Sequence, residues 1–223
     1  MQLNTIKLIL TGALLALSMN SATAGTVFYS LSGLGGGAAQ APLDAVVDAG
    51  TSHTIYVYYT TVGGSELDTG ISLDVNSGTT GVIGFTAAET LDFDITIATT
   101  DIGDRWGDFS GAAQGVNADD VTNLAAFTVV SGSGIVNANK NAPFTDEGWD
   151  SAIDAFLVGT IDFDALAPGI TTLSTSPGAN FNVHNGAVVT PTFLDGTITV
   201  IPEPTTAILG LFALPLALRR RRK

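Results

Sequence analysis

Between Thr54 and Val200 the sequence alternates apolar and polar residues with a period of two, in short runs broken by Gly, Asn, Asp, Ser and Pro. Ile55, Val57 and Tyr59 fall on one side of such a run, with Thr54, Tyr56, Tyr58 and Thr60 on the other. Ile71, Leu73 and Val75 alternate with Ser72, Asp74 and Asn76 before a Ser77-Gly78 break. Leu91, Phe93, Ile95 and Ile97 alternate with Asp92, Asp94, Thr96 and Ala98. Leu157, Ile161 and Phe163 alternate with Thr160, Asp162 and Asp164 before Pro168-Gly169, and Thr197-Ile198-Thr199-Val200 ends the series. Successive side chains of a strand point to opposite sides, so this period dictates strands with one buried face. Segments 26–31, 124–130 and 181–184 are weaker strand candidates. Roughly eight to ten short strands without a long amphipathic helix predict an all-β chain, a two-layer antiparallel β-sandwich of jelly-roll type.

The stretch from Thr99 to Ala155 is rich in Gly, Asn, Asp and Ala and shows one convincing strand, around Leu124 to Val130. Asp119 to Leu124 suits a helical turn, so a long loop-rich insertion is expected over about 99–155. Gly33 to Gly37 reads as a strand-to-strand connection and not as a phosphate loop, because no Lys-Ser/Thr follows it.

Both ends stand apart from this pattern. Lys7, the apolar run Leu8–Leu17 and the small-x-small site Ala22-Thr23-Ala24 before Gly25 read as a secretory signal peptide over residues 1–24. At the other end, residues 201–223 hold Pro202-Glu203-Pro204, an apolar segment over 205–218 and five cations, Arg219–Lys223. The twelve apolar residues from Ala207 to Leu218 rise about 18 Å as a helix, against about 30 Å of bilayer core. Pro215 weakens that helix further by removing a backbone donor. A transient membrane segment fits better than a permanent anchor, with the basic end held on the cytoplasmic side. The two prolines keep the triplet extended, as a processing enzyme requires. Both apolar ends are thus expected to be helical targeting signals outside the fold, leaving 25–200 as the domain.

In this order of triplet, apolar run and basic cluster, the tail resembles the PEP-CTERM sorting signal of Gram-negative bacteria. The resemblance implies export through the Sec translocon and transient inner-membrane insertion. It further implies recognition by an exosortase and delivery to the cell surface or extracellular matrix, in a setting of exopolysaccharide and biofilm. Within the domain, Thr54–Tyr59, Asp68–Asn76, Phe156–Leu173 and Asp195–Val200 are similar to the cohesin-like sandwiches related to carbohydrate-binding modules. That similarity implies a non-enzymatic structural or interaction module.

Charge narrows the partners. Six of the eight Lys and Arg lie in the two terminal signals, leaving Arg105 and Lys140. Two cations against the twenty carboxylates between Asp44 and Asp195 leave the domain at −18, well beyond the −13 of the whole chain. Such a surface repels nucleic acid and other polyanions, which need clustered Lys and Arg. The absence of cysteine excludes disulfides, thiolate metal sites and cysteine nucleophiles.

Few residues point to chemistry. His53 and His184 are the only histidines, no Gly-x-Ser-x-Gly is present, and both histidines are expected at the surface. Two histidines fall short of a zinc site. No cofactor is required, and calcium is the best candidate ion. Asp101, Asp104 and Asp108 share a Gly-containing loop that Asp119 and Asp120 would have to approach, without EF-hand spacing or a closing Glu. Acid pairs such as Asp92/Asp94 and Asp162/Asp164 keep a secreted glycoside hydrolase open as an alternative, although solvated strand faces explain them more simply. A carbohydrate-binding module is the other alternative, with Trp106 and Trp149 as sugar platforms and Tyr56 and Tyr58 on one strand face. The plainer roles for these rings are cover by a loop for the tyrosines and loop anchoring for the tryptophans.

Overall fold

A computed structural model describes residues 25–60, 68–91, 94–97, 100–104, 114–124, 144–178, 183–184, 187–188 and 191–203. The expected terminal signals therefore lie outside the described residues, apart from Gly25 and Ile201–Glu203. The alternating runs are strands, and no helix occurs among the described residues. In chain order they are β1 (Thr26–Ser30), β2 (Asp44–Asp48), β3 (Ser52–Thr60), β4 (Asp68–Gly70), β5 (Leu73–Ser77) and β6 (Ile83–Thr90). Next come β7 (Asp94–Ile97), β8 (Thr100–Asp104), β9 (Gly115–Val116), β10 (Asp120–Leu124), β11 (Phe144–Asp146) and β12 (Trp149–Asp150). The last are β13 (Ala155–Ala165), β14 (Gly169–Pro177), β15 (Val183–His184), β16 (Ala187–Val188), β17 (Thr192–Phe193) and β18 (Gly196–Ile201).

Two six-stranded sheets form a β-sandwich. The first runs β12-β13-β3-β1-β17, with β6 also paired to β13, and the second runs β2-β18-β14-β5-β10-β9. Two small sheets, β11-β7-β8 and β16-β15-β4, accompany them. Pairing between the described strands is antiparallel except for β1 with β17 and β2 with β18, where early and late strands meet. Parallel neighbours need a long crossover, and here nearly the whole domain supplies it.

The core is the seam between the sheets. Val27, Tyr29, Ile55, Val57, Tyr59, Ile161 and Phe163 meet Leu73, Val75, Val121, Leu173, Ile198 and Val200. These are the inward positions of the alternation, so burial follows from the period itself.

A second apolar layer lies on the opposite face of the first sheet. Phe28, Tyr58 and Leu157 are buried there with Ala38 and Ala155, and the Phe28 and Tyr58 rings stack at 5.3 Å. The connection from β1 to β2 covers this layer, and the Tyr58 hydroxyl donates to the Ser32 carbonyl at 3.1 Å. Asp150, itself buried, pins that connection by accepting from the Gly35 amide at 2.9 Å, and accepts from the Ala152 amide at 3.0 Å.

Burial has a consequence at high pH. Desolvation, then the charge of Asp150 and the neighbouring Tyr56, push the Tyr58 hydroxyl up from 10.0 to about 12. Burial raises Tyr29 further, against the opposing hydrogen bond to Thr175, with Asp195 adding to the rise. The folded state thus holds both protons beyond the pH at which the unfolded chain releases them. Their contribution is intact below the unfolded value near 10.0 and is lost as pH climbs above it, through about 12 for Tyr58 and higher still for Tyr29. We expect a flat melting temperature up to that window and a fall across it, shallower in Tyr58→Phe. A flat profile into strong alkali, with tyrosinate absorbance rising at ordinary pH, would contradict this.

Three sequence expectations change. Asp119–Leu124 is not a helical turn: Asp120–Leu124 form β10, paired with β5 through Val121↔Val75 and Leu124↔Leu73. Between these pairs one residue of β5, Asp74, faces two of β10, Thr122 and Asn123, so a bulge at Asn123, in the left-handed region at φ 54°, puts Val121 and Leu124 on one face. The stretch 99–155 is richer in strands than expected, supplying β8 to β12, of which β9 and β10 extend the second sheet. The strand expected over Leu124 to Val130 lies outside the described residues beyond Leu124. Leu157 does not share a face with Ile161, because the register shifts between Leu157 and Gly159. Val158 enters the core instead, and Leu157 turns to the second layer.

Candidate functional site: a groove on the outer face of the first sheet

β1 pairs with β3 only from Tyr56 to Thr60, so the start of β3 runs on beyond the end of β1. On its other side that start remains paired to β13, through Thr54↔Asp162 and Ser52↔Asp164. Asp162 and Asp164 alternate with the buried Ile161, Phe163 and Ala165, which places them on the outer face. The Thr54 hydroxyl donates to Asp162 Oδ1 and the Ser52 hydroxyl to Asp164 Oδ1, both at 2.6 Å. Beyond β13, the register against β6 slips between Asp162 and Phe163, making Thr86 the extra residue of a bulge.

These residues, with Leu31, His53 and Tyr56, line a groove of about 510 Å³. Tyr56 is half-buried at one end, its ring so close to Gly33 that a Cβ there would lie 3.0 Å from Cε1. Gly33 therefore fixes the ring position by leaving room for it. His53 is half-buried rather than fully at the surface. Its ring stacks on Phe163 at 5.4 Å, and its Nε2 lies 2.7 Å from the Thr51 hydroxyl. The groove thus offers carboxylates, hydroxyls, a tyrosine ring and the His53 imidazole, with no lysine or arginine among the described residues.

The other sequence candidates that are described lie outside this groove. Trp149 lies on β12 against Phe156, ring centroids 4.4 Å apart, as a packing contact. Trp106 and Asp108 lie outside the described residues. Asp101 and Asp104 are on β8, opposite Thr96 and Asp94 of β7, and only their backbone is described. Asp119 leads into β10 in the second sheet, and Asp120 accepts a hydrogen bond from Asn76. Among the described residues, no group of three or more His, Asp or Glu side chains is placed to hold a metal ion. Asp92 is outside the described residues, and His184 is described only as backbone in β15. The Asp162/Asp164 pair lines the groove. Nothing in the sequence singles out Ser52, Thr86 or Leu31.

Pro202 and Glu203 follow directly on the last described strand. Ile201 closes β18 opposite Asp48 of β2, and its carbonyl accepts from the Ala49 amide at 2.8 Å. Pro202 and Glu203 are exposed, and Glu203 reaches over Gly50, where a Cβ would lie 2.7 Å from Oε1. Pro204 lies outside the described residues, as do Ala22 and Ala24. Gly25 is buried, and its amide donates to the Tyr59 hydroxyl at 3.3 Å.

No family model matches this chain, and no curated protein does. Among solved structures it is similar to the seventh ScaB type I cohesin from Pseudobacteroides cellulosolvens, at 10% identity and a TM-score of 0.44 over 81% of this chain and 94% of that one. It is also similar to the sixth cohesin of scaffoldin B from Acetivibrio cellulolyticus, solved in complex with a Cel5 dockerin mutant. There the identity is 9% and the TM-score 0.42, over 80% of this chain and 100% of that one. A type I cohesin–dockerin complex from Clostridium thermocellum gives 9% identity and a TM-score of 0.41, over 81% of this chain and 96% of that one.

Proposed function

We propose that this chain is an exported protein, processed at Pro202-Glu203-Pro204 and delivered to the cell surface or extracellular matrix of a Gram-negative bacterium. There its sandwich serves as a non-enzymatic structural or interaction module among exopolysaccharide. The observation that carries this reading is the order of the tail: triplet, short apolar run and basic cluster, beginning at the residue after the last described strand. Support comes from the completeness of the sandwich at Ile201, since removal of the residues beyond Ile201 takes no described strand from it. The acidic domain suits an exterior without nucleic acid or polyanionic partners. The test is fractionation of cells expressing the full chain or a variant with Pro202, Glu203 and Pro204 all replaced by alanine. The natural chain is expected outside the inner membrane and the variant retained in it. Equal distribution of the two would count against the proposal.

A further inference from the structure

The groove across β3, β13 and β6 has no task in export or processing. We propose that it binds an uncharged, hydroxyl-rich polysaccharide chain lying along β13, with Tyr56 against one sugar ring and Asp162 and Asp164 accepting its hydroxyl groups. The proposal deepens the reading above and rests on it only for the polysaccharide-rich surroundings.

Three observations select this ligand. The first is what the lining can still bond. Ser52 and Thr54 have given their only protons to Asp164 and Asp162, so their oxygens can only accept further. Each carboxylate has about four acceptor positions and spends one on its cross-strand partner. The ligand must therefore bring donors, as sugar hydroxyls do.

The second is spacing. Asp162 and Asp164 are two residues apart on one strand, about 6.7 Å along it. Acceptors repeated along a line suit a chain of sugars, whereas calcium needs six to eight oxygens around one point. The volume of about 510 Å³ lies within the usual range of small-ligand clefts.

The third is the tyrosine together with the charge. Tyr56 is held in place against Gly33, and its hydroxyl has no hydrogen-bond partner among the described residues. A ring with an apolar face and a polar tip suits the mixed CH and OH surface of a sugar. An anionic chain would meet two carboxylates on a domain of charge −18, which excludes uronic-acid polymers.

The test is calorimetry on protein purified from cells expressing the full chain. The probes are hexasaccharides of glucose, mannose and galactose, with chitosan hexamer, polygalacturonate hexamer and calcium chloride as separate arms. At least one neutral hexasaccharide is expected to bind, with little change on adding salt. Tyr56→Ala and Asp162→Asn are each expected to weaken it by at least about tenfold. Asp162→Asn keeps the side-chain shape and is expected to leave the melting temperature unchanged, which separates lost binding from lost folding. The proposal is overturned if no neutral probe binds, or if only chitosan binds and salt abolishes it. It is equally overturned if calcium or polygalacturonate alone binds, if both variants bind as the natural protein does, or if the probe is hydrolysed. None of these outcomes alters the C-terminal mass of the processed protein, so failure here is distinct from failure of the export reading.

Discussion

Phe163→Ala is expected to destabilise the domain by about 3–5 kcal/mol, as truncation of a fully buried aromatic does. Phe163 is fully buried in β13, flanked in register by His53 of β3 and Phe85 of β6, and its ring stacks on His53. Strands hydrogen-bonded on both sides cannot close around the space left by the ring, so most of the cavity persists. For a domain of this length, each kcal/mol lowers the melting temperature by roughly 2–4 °C, giving a fall of roughly 6–20 °C. Ile170, 61% exposed on the outer face of the second sheet, is the control. Ile170→Ala is expected to change stability by no more than about 0.5 kcal/mol. Similar losses in the two variants would mean that the core does not lie between the sheets.

The second large effect is expected at Gly159, where β13 shifts register against β3. A Cβ there would lie 2.6 Å from the Glu89 carbonyl oxygen and 3.1 Å from Leu124 Cδ1. The first contact is backbone of the paired strand β6, so it yields only if the pairing moves. Gly159→Ala should therefore cost about 1–3 kcal/mol, seen as a lower urea midpoint at unchanged slope. Shrinking the other neighbour with Leu124→Ala should not rescue it. Full rescue by that second change would place the obstruction in the side chain and dismiss the backbone account.

The strands whose alternation is uninterrupted are legible in the sequence. Ile55, Val57 and Tyr59, like Ile71, Leu73 and Val75, are inward and buried as their period requires. What hides the rest is the bulge. One inserted residue gives Val121 and Leu124 a helix-like spacing of three, and another turns Leu157 away from Ile161. The second layer is hidden for a different reason. Outward strand residues such as Phe28 and Tyr58 stay dry only because a connection folds over them, and a local pattern does not report that cover.

The candidate site is half legible for the same kind of reason. Tyr56 and the Asp162/Asp164 pair stand out locally as an aromatic and acids on strand faces. Their assembly depends on Thr54 meeting Asp162 and Ser52 meeting Asp164 across separations of 108 and 112 residues, which only the strand register sets. The tail is the reverse case. Its meaning lies in residue order, and the fold adds that the last described strand stops at the residue before the triplet.

Export followed by removal of the tail is read from the mass of the mature protein. The chain expressed in an exosortase-bearing host and recovered outside the inner membrane should lack residues 1–24 and the apolar and basic segments, ending near Pro202–Pro204. A recovered product that still ends in Lys223 would contradict it.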